Sequence, residues 1–373
     1  MKAPSPFAAP TTTAELVAAI CSARDERRVV ELRGAGTKAG MGDPRRERAI
    51  IDLRGFAGII DYEPRELVLT AGAGTPLAEI ERLLAANGQM LAFEPTGGTI
   101  GGVVAAGTSG PRRPFAGGVR DHVLGIEGVS GRGEAFKAGG RVVKNVTGYD
   151  IARLMTGSWG RLAAITSVSI KVLPKPRAEA TLLIENLEDR AGLVLMARAA
   201  GSSAEITGAA HAPSVGTLLR LEGFGPSVAA RADMLLALCA DGGEPHLIEG
   251  EDSPALWREV RVASGLPADL PLWRVTGPAT AASRLTEGLA GAMWIYDWAG
   301  ALVWIAAPED IDVRAAPSAA GGQASLVRAS EDMRARIPAL HPEPTATAAL
   351  RARIKAGFDP AGILDPDRFA ARR

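Results

Sequence analysis

Two glycine-rich stretches of the sequence could form an anion-binding site from backbone N–H groups alone. They are Arg33-Gly34-Ala35-Gly36-Thr37-Lys38 and Gly97-Gly98-Thr99-Ile100-Gly101-Gly102. Glycine reaches positive φ without a Cβ penalty, and successive N–H groups in such a loop form a concave nest for phosphate oxygens. Two nests could therefore hold the diphosphate of a flavin or nicotinamide dinucleotide from both sides. The alternative, that the glycines serve only tight turns, explains either loop more easily than it explains both.

The first stretch has the spacing of the Rossmann dinucleotide fingerprint but cannot have its structure. Residues 34–39 read G-x-G-x-x-A after a predicted strand, and Asp52 follows at about the distance of the ribose-binding acid. The fingerprint requires a helix to begin within the motif. Gly40, Gly42 and Pro44 come next instead, and no apolar helical stripe starts there. We therefore reject a Rossmann domain and keep nucleotide binding.

Alternating helix and strand patterns must position these loops. The sequence predicts a first helix that begins at the capping-box pair Thr12 and Glu15, followed by a short strand over residues 29–32. It predicts a second helix with Thr75 as its N-cap and Pro76 in its first turn. The first glycine stretch therefore follows a strand directly, as a phosphate-binding loop requires.

The second half of the chain has a different pattern. Pro174 and Pro176 end a predicted strand, and we place a domain boundary there, between residues 1–175 and residues 176–345. The mixture of strands and helices beyond the boundary predicts a smaller domain with an antiparallel sheet and helices on one face. Residues 346–373 form a tail that begins with a helix. The expected fold class is α+β.

Composition narrows the class of protein. The 373 residues carry 42 Lys+Arg and 42 Asp+Glu, so the formal net charge is zero, which argues against a nucleic-acid binder. Two cysteines and four scattered histidines are too few for an iron–sulfur cluster or a histidine-rich metal site. We find no signal peptide and no apolar run long enough to cross a membrane. We expect a cytoplasmic protein, whose membrane contact would come through a partner.

Five motifs follow one another along the chain: Arg-Gly-x-Gly-Thr-Lys, Pro-Thr-Gly-Gly-Thr-Ile-Gly-Gly, Val-Arg-Asp-His-Val-Leu-Gly, Gly-Tyr-Asp and Gly-Ser-x-Gly-x-Leu. They begin at Arg33, Pro95, Val119, Gly148 and Gly157. In this order they resemble the PCMH-type FAD-binding domain of the vanillyl-alcohol-oxidase family. With the tail motif Phe-Asp-Pro-x-Gly-Ile-Leu-x-Pro, the chain is similar to the FAD-binding subunits of bacterial glycolate oxidase. The resemblance implies a two-subdomain FAD-binding domain, a ferredoxin-like α+β cap, and a tail that packs back on the first domain.

The same resemblance implies roles for individual residues. Residues 33–38 would bind the pyrophosphate of FAD, and residues 97–102 would line the diphosphate and the edge of the flavin. Asp121 and Ile165 would border the nucleotide half. Thr37 stands where some relatives carry a covalently flavinylated histidine. FAD should therefore be held non-covalently.

The resemblance further implies oxidation of a small 2-hydroxy acid such as glycolate, with hydride passing to the flavin. The expected partners are a catalytic flavoprotein subunit and an iron–sulfur subunit, without which this chain would not turn over substrate. Two alternatives remain open: a self-sufficient flavin dehydrogenase of another hydroxy acid or alcohol, and a non-catalytic scaffold that has lost FAD. Trp159, Arg161 and Asp367 depart from the family pattern and favour the scaffold.

The residues that would handle substrate are not evident from the sequence. A 2-hydroxy acid needs a base near its hydroxyl and cations for its carboxylate. Lys144 and Tyr149 flank an Asn-Val-Thr-Gly loop and could face the flavin ring. The alternative is a surface lysine and a packed, hydrogen-bonded tyrosine. We interpret Arg112 and Arg113 as a solvated basic pair, and we expect no metal site.

Overall fold

Two large sheets, one in each half of the chain, organise the structure. The structure is a computed structural model, and it describes residues 7–44, 48–140, 149–239, 243–365 and 368–369. The helices are α1 Thr13–Asp25, α2 Leu77–Ala86, α3 Ile100–Ala106, α4 Arg113–Ala116, α5 Val119–His122, α6 Ile151–Met155, α7 Asp189–Ala200, α8 Gly225–Leu238, α9 Asp252–Val262, α10 Ala282–Thr286, α11 Ala315–Ala319, α12 Glu331–Arg336 and α13 Thr345–Phe358. The strands are β1 Val30–Arg33, β2 Ala49–Asp52, β3 Ile59–Glu63, β4 Val68–Gly72, β5 Gln89–Met90, β6 Val123–Ser130, β7 Ala135–Gly139, β8 Ala163–Lys171, β9 Leu173–Pro174, β10 Ala178–Glu185, β11 Gly208–Ala212, β12 Gly216–Gly223, β13 Glu244–Glu249, β14 Leu272–Thr276, β15 Met293–Asp297, β16 Leu302–Ala306 and β17 Gln323–Arg328. The predicted α+β class is confirmed. Among the described residues, no helix combines the length and apolar character needed to cross a membrane.

Helix α1 precedes a short parallel pair formed by β1 and β2. Its predicted capping box is confirmed: Thr12 Oγ1 accepts the Glu15 N–H at 3.2 Å, and the Glu15 carboxylate accepts the Thr12 N–H at 3.3 Å. Strand β1 runs parallel to β2 with Val30 opposite Ala49, and it ends at Arg33. The first glycine loop (residues 33–38) therefore leaves the end of this parallel pair, as predicted.

The N-terminal half is built on a five-stranded sheet with the order β3-β4-β8-β6-β7. Helices α2 and α3 pack against it in one apolar core. The prediction that Thr75 caps α2 is wrong. The helix begins at Leu77 with Pro76 as its N-cap, and the Thr75 hydroxyl donates to the Gly72 carbonyl at 2.7 Å instead. That bond closes the turn after β4. A threonine that closes a turn and a threonine that caps a helix give the same short-range sequence signal.

The second half, the cap (residues 178–328), is one eight-stranded sheet with the order β13-β10-β12-β11-β15-β16-β14-β17. It consists of two β-α-β-β-α-β units, the ferredoxin-like arrangement. The first unit runs from β10 to β13 with α7 and α8, and the second from β14 to β17 with α10 and α11. The predicted ferredoxin-like cap is therefore confirmed, and it occurs here in duplicate.

The two units of the cap join where β11 meets β15, with His211 opposite Tyr296. Buried and partly buried polar groups connect them. The Asp189 carboxylate lies 3.2 Å from His211 Nε2, and it accepts hydrogen bonds from Trp294 Nε1 at 2.7 Å and from the Tyr296 hydroxyl at 3.1 Å. One carboxylate at the start of α7 thus links both units.

Helices cover both faces of the cap sheet, so the prediction of helices on one face is wrong. Leu182 and Ile184 of β10 pack in the core with α7 and α8. Leu183, between them, packs on the other face with Trp257 of α9, whose Nε1 donates to Thr181 Oγ1 at 2.8 Å. The reason is that β10 is apolar on both faces, and a strand of that kind needs cover on each.

The C-terminal segment lies against the N-terminal half. The Val30 N–H of β1 donates to the Ile363 carbonyl at 2.8 Å, and Ile363 and Leu364 are buried in the core beneath α1. Lys355 of α13 donates to the Arg161 carbonyl at 2.5 Å and to the Leu364 carbonyl at 2.9 Å. Backbone and side-chain bonds together therefore hold the end of the chain to its beginning.

Buried ion pairs attach the cap to the N-terminal half. Arg112 lies 2.7 Å from the Glu94 carboxylate and donates from Nε to Glu222 at 2.8 Å, and Arg220 donates to Glu94 at 2.8 Å. Trp298 of the cap adds a hydrogen bond to the Gly110 carbonyl at 2.9 Å. The interpretation of Arg112 as a solvated residue is therefore wrong, because carboxylates from both halves surround it.

Candidate active site

The two glycine loops meet in space. A Cβ on Gly34 would lie 2.4 Å from Thr99 Oγ1, and a Cβ on Gly98 would lie 2.9 Å from Thr37 Oγ1. Real Cβ atoms do not approach other atoms this closely, so the absence of a side chain lets the loops touch. Gly98 also has a φ of +93°, which other residues rarely adopt.

A trough runs beside this contact. The first glycine loop forms one wall, and the start of α3 with the second glycine loop (residues 97–102) forms another. Ala163 and Ile165 of β8 contribute to its lining. The described segments that build this trough come from both ends of the chain, since Arg368 also lines it.

Backbone donors along the trough are not engaged within the protein. Among the described residues, none of the N–H groups of residues 34–38 or 97–99 donates to a protein acceptor. Lys38 lies at the same place, and burial lowers the pKa of its ammonium group. A row of N–H groups beside a partly desolvated cation is the donor set that a diphosphate requires.

The predicted cofactor residues divide into two groups. Those that line the trough are Arg33, Gly34, Ala35, Gly36, Thr37, Lys38, Thr99, Gly101, Gly102 and Ile165. Gly97, Gly98, Ile100 and Asp121 are not among its lining residues. Ile100 is fully buried in the core, and the Asp121 carboxylate accepts the Gly118 N–H at 2.8 Å. Gly98 contributes through its contact with Thr37.

Of the two candidates for substrate chemistry, Tyr149 lies among the described residues. Tyr149 is 95% exposed and does not line it, so neither facing a flavin within this chain nor packing in a core describes this residue. Lys144 lies outside the described residues.

Arg113 and Arg274 form a cluster that sequence reasoning missed. Arg113 of α4 and Arg274 of β14 both lie over the indole ring of Trp298, at 4.4 and 4.9 Å from its centroid. In the described part of the chain, neither guanidinium has an ion pair or a hydrogen bond. Burial, and then the like charge of Arg113, lower the pKa of Arg274 to about 10. Two adjacent arginines that form no ion pair within the described residues favour the binding of an anion.

Asp297 lies directly beside this cluster. Its carboxylate accepts the Trp298 N–H at 2.7 Å and is buried. Burial raises the pKa of Asp297 to about 7; the bond from Trp298 opposes this shift, and the charge of Glu94 adds to it. Asp297 is therefore an incomplete counter-ion for Arg274 at neutral pH.

A surface cluster at the edge of the cap sheet has no assigned role. Ligand atoms of Glu185, Glu244 and His246 lie within 4.8 Å of one another, and all three residues are partly or fully exposed. Exposed groups of this kind are common without a metal, and no other feature of the described residues indicates a ligand there.

The fold and the trough define an FAD-binding protein of the PCMH type with a ferredoxin-like cap. The FAD binding domain family matches residues 4–139. Glycolate oxidase subunit GlcE of Escherichia coli K12 is 35% identical over 347 residues, which cover 91% of this chain and 92% of that protein. The chain belongs to the GlcE family of FAD-binding glycolate oxidase subunits.

Two further relatives match about half of this chain. Glycolate oxidase subunit GlcD of Bacillus subtilis 168 is 31% identical over 51% of this chain and 42% of that protein. D-lactate dehydrogenase of Archaeoglobus fulgidus is 30% identical over 47% of this chain and 40% of that enzyme. A solved structure of alkyldihydroxyacetonephosphate synthase aligns with a TM-score of 0.67 at 14% identity, over 96% of this chain and 76% of that chain. This last similarity is one of fold.

The trough fits FAD, the cofactor of this family. Gly34 and Gly98 leave the space in which the loops meet, and the unengaged N–H groups supply donors for the diphosphate. FAD, when bound, supplies a two-electron acceptor. The backbone N–H groups of residues 34–38 and the ammonium group of Lys38 would hold its diphosphate. Residue 37 is a threonine and not a histidine, so FAD would not be attached covalently there.

Proposed function

We propose that this chain is the FAD-binding subunit of a complex that oxidises a small 2-hydroxy acid, glycolate to glyoxylate, and passes the electrons to partner subunits. The family supports FAD-linked oxidation, and the relatives named above include glycolate oxidase subunits and a D-lactate dehydrogenase. Both names refer to substrates with a hydroxyl beside a carboxylate. The substrate class therefore requires a site for one carboxylate group.

The observation that carries this proposal is the pair Arg113 and Arg274. Arg113 belongs to the N-terminal half and Arg274 to the cap, so a ligand between them would touch both. The arginine pair is connected to α3, the helix that lines the trough. Trp298, whose ring both arginines cover, bonds to Gly110, four residues beyond the end of α3. Two guanidinium groups can hold a carboxylate by charge-assisted hydrogen bonds. We assign them the substrate carboxylate.

The proposed reaction removes two electrons and two protons from the hydroxy acid. Hydride leaves the carbon that carries the hydroxyl, the hydroxyl proton is lost, and a C=O bond forms. Arg113 and Arg274 would orient the substrate by its carboxylate. Positioning of this kind lowers the barrier because the reacting carbon is held in one place.

Electrons must then leave the chain. Its sequence holds two cysteines, Cys21 and Cys239, both of them free thiols, and an iron–sulfur cluster needs four ligands. We propose a catalytic flavoprotein subunit and an iron–sulfur subunit as partners, so that turnover belongs to the assembled complex.

The experiment compares the isolated chain with the complex. The purified chain should show flavin absorption, and heating should release free FAD, since it is held non-covalently. Without oxygen, oxalate, an unreactive dicarboxylate, should perturb the flavin spectrum of the chain, and glycolate should reduce a dye only when the partners are present. Rapid reduction of the flavin of the isolated chain by glycolate would establish a self-sufficient dehydrogenase. A colourless protein that takes up no FAD would indicate a scaffold.

A further inference from the structure

The C-terminal tail supplies a wall of the cofactor trough. Trp159 and Phe369 form an edge-to-face pair with ring centroids 5.1 Å apart. Arg368 lies over both rings, at 5.5 Å from the Trp159 centroid and 5.6 Å from the Phe369 centroid. Trp159 and Arg368 line the trough. Trp159 departs from the pattern of the family, and the structure places it against the tail.

Arg368 has incomplete charge pairing. Its Nη1 lies 3.8 Å from the Glu31 carboxylate and 3.6 Å from that of Asp365. Both carboxylates have closer partners, because Glu31 lies 3.0 Å from Arg33 and 2.9 Å from Arg48, and Asp365 lies 3.3 Å from Arg48. Three arginines thus share two carboxylates. The Nε of Arg368 is buried and has no hydrogen-bond partner.

Arg368 also holds the first glycine loop. Its Nη2 donates to the Lys38 carbonyl at 2.9 Å, at the end of the run of unengaged N–H groups. The side chain is buried, so its charge acts through a medium of low dielectric, where it is strong. The loop and the guanidinium therefore present positive character to the same part of the trough.

We infer that the tail completes the FAD site and that Arg368 positions the first glycine loop and directs its charge at the diphosphate. The ligand class is a dinucleotide diphosphate, and the flavin ring plays no part in this contact. Trp159 has a φ of +58°, an uncommon conformation for a large residue. Its stacking with Arg368 and Phe369 compensates that conformation and orients the guanidinium.

FAD binding without substrate tests this inference, so its result is independent of the proposed hydroxy-acid oxidation. The full-length chain is stripped of flavin and titrated with FAD, ADP, adenosine and riboflavin. In Arg368→Gln we expect the Kd for FAD and for ADP to rise by about tenfold or more, the loss of one charge-assisted contact. Adenosine and riboflavin, which lack a diphosphate, should bind as before.

Two further variants separate the effect of the Arg368 charge from that of tail attachment. Arg368→Lys retains the charge and should recover part of the affinity for FAD and ADP. Arg132→Gln is the matched control. Arg132 donates to the Gly357 carbonyl at 2.7 Å, so it also attaches the tail, but neither residue lines the trough. Thermal unfolding of each flavin-free protein verifies its folding.

Three results would overturn the inference. The first is a folded Arg368→Gln variant that binds FAD within about twofold of the parent. The second is an equal loss of affinity in Arg132→Gln, which would assign the effect to tail attachment. The third is an equal loss for riboflavin and ADP, which would place Arg368 away from the diphosphate.

Discussion

Gly34 and Thr99 belong to different loops, yet a Cβ on Gly34 would lie 2.4 Å from Thr99 Oγ1. The same hydroxyl accepts the Gly102 N–H at 3.3 Å at the start of α3, so it cannot move without loss of that bond. This contact is what brings the two walls of the FAD trough together.

Gly34→Ala should separate the two loops. The added methyl group must displace Thr99, so we expect the Kd for FAD to rise by about tenfold or more. Fluorescence titration of the flavin-free protein measures this. Gly40→Ala is the matched control, because a Cβ there meets no atom within 4 Å, and it should bind FAD as the parent does. Equal affinities of the two variants would contradict the role of the contact.

Arg274→Gln should weaken substrate binding and leave the cofactor in place. Loss of one carboxylate contact should raise the KM for glycolate of the assembled complex by about tenfold or more, and oxalate should no longer perturb the flavin spectrum. Flavin content and the Kd for FAD should not change. Arg284→Gln, on α10 of the same domain, serves as the control. An unchanged KM in Arg274→Gln would remove the arginine pair from the substrate site.

Asp297 should make the protein less stable as the pH rises. Its pKa of about 7 in the folded protein exceeds the ordinary value of 3.8, so the folded state binds more protons between these values, and stability falls as the pH rises through them. Asp297→Asn should raise Tm at pH 8 by about 2–4 °C relative to the parent and have little effect at pH 4. A Tm difference that is equal at both pH values would show that Asp297 does not titrate in this range.

Arg112→Gln should loosen the attachment of the cap. It leaves the buried Glu222 carboxylate without its closest cation, since Arg220 lies 3.7 Å from Glu222 but 2.8 Å from Glu94. Loss of one partner of a buried ion pair costs about 3 kcal/mol. Urea unfolding followed by tryptophan fluorescence measures the change. Arg54→Gln removes an exposed partner of Asp52 and should have no measurable effect. Similar destabilisation by both variants would contradict a larger contribution of the buried ion pairs to the free energy of unfolding.

Much of the trough could be predicted because its chemistry is local. The first glycine loop carries its own conformational signal, since glycine and the preceding strand can be identified within ten residues. The four residues that do not line the trough show the limit of this approach. Ile100 and Asp121 lie within the motifs, but one points into the core and the other closes a turn at Gly118.

The arginine pair could not be predicted for the opposite reason. Arg113 and Arg274 lie about 160 residues apart in the sequence, and only the packing of the cap against the N-terminal half brings them to one indole ring. The duplicated unit of the cap was missed for the same reason, because strand order depends on long-range pairing and leaves no short-range pattern. Arg368 lies two residues beyond the tail motif recognised in the sequence, and its contact with Lys38 spans nearly the whole chain.

The hydrogen bond between Val30 and Ile363 has a consequence for biosynthesis. Val30 is synthesised more than 300 residues before Ile363, so the N-terminal subdomain cannot reach its final packing until the segment around Ile363 has left the ribosome. Until then, the first glycine loop of the nascent chain would lack its contact with Arg368. Flavin loading should therefore follow the synthesis of Arg368, and a chain terminated before that residue should bind FAD more weakly.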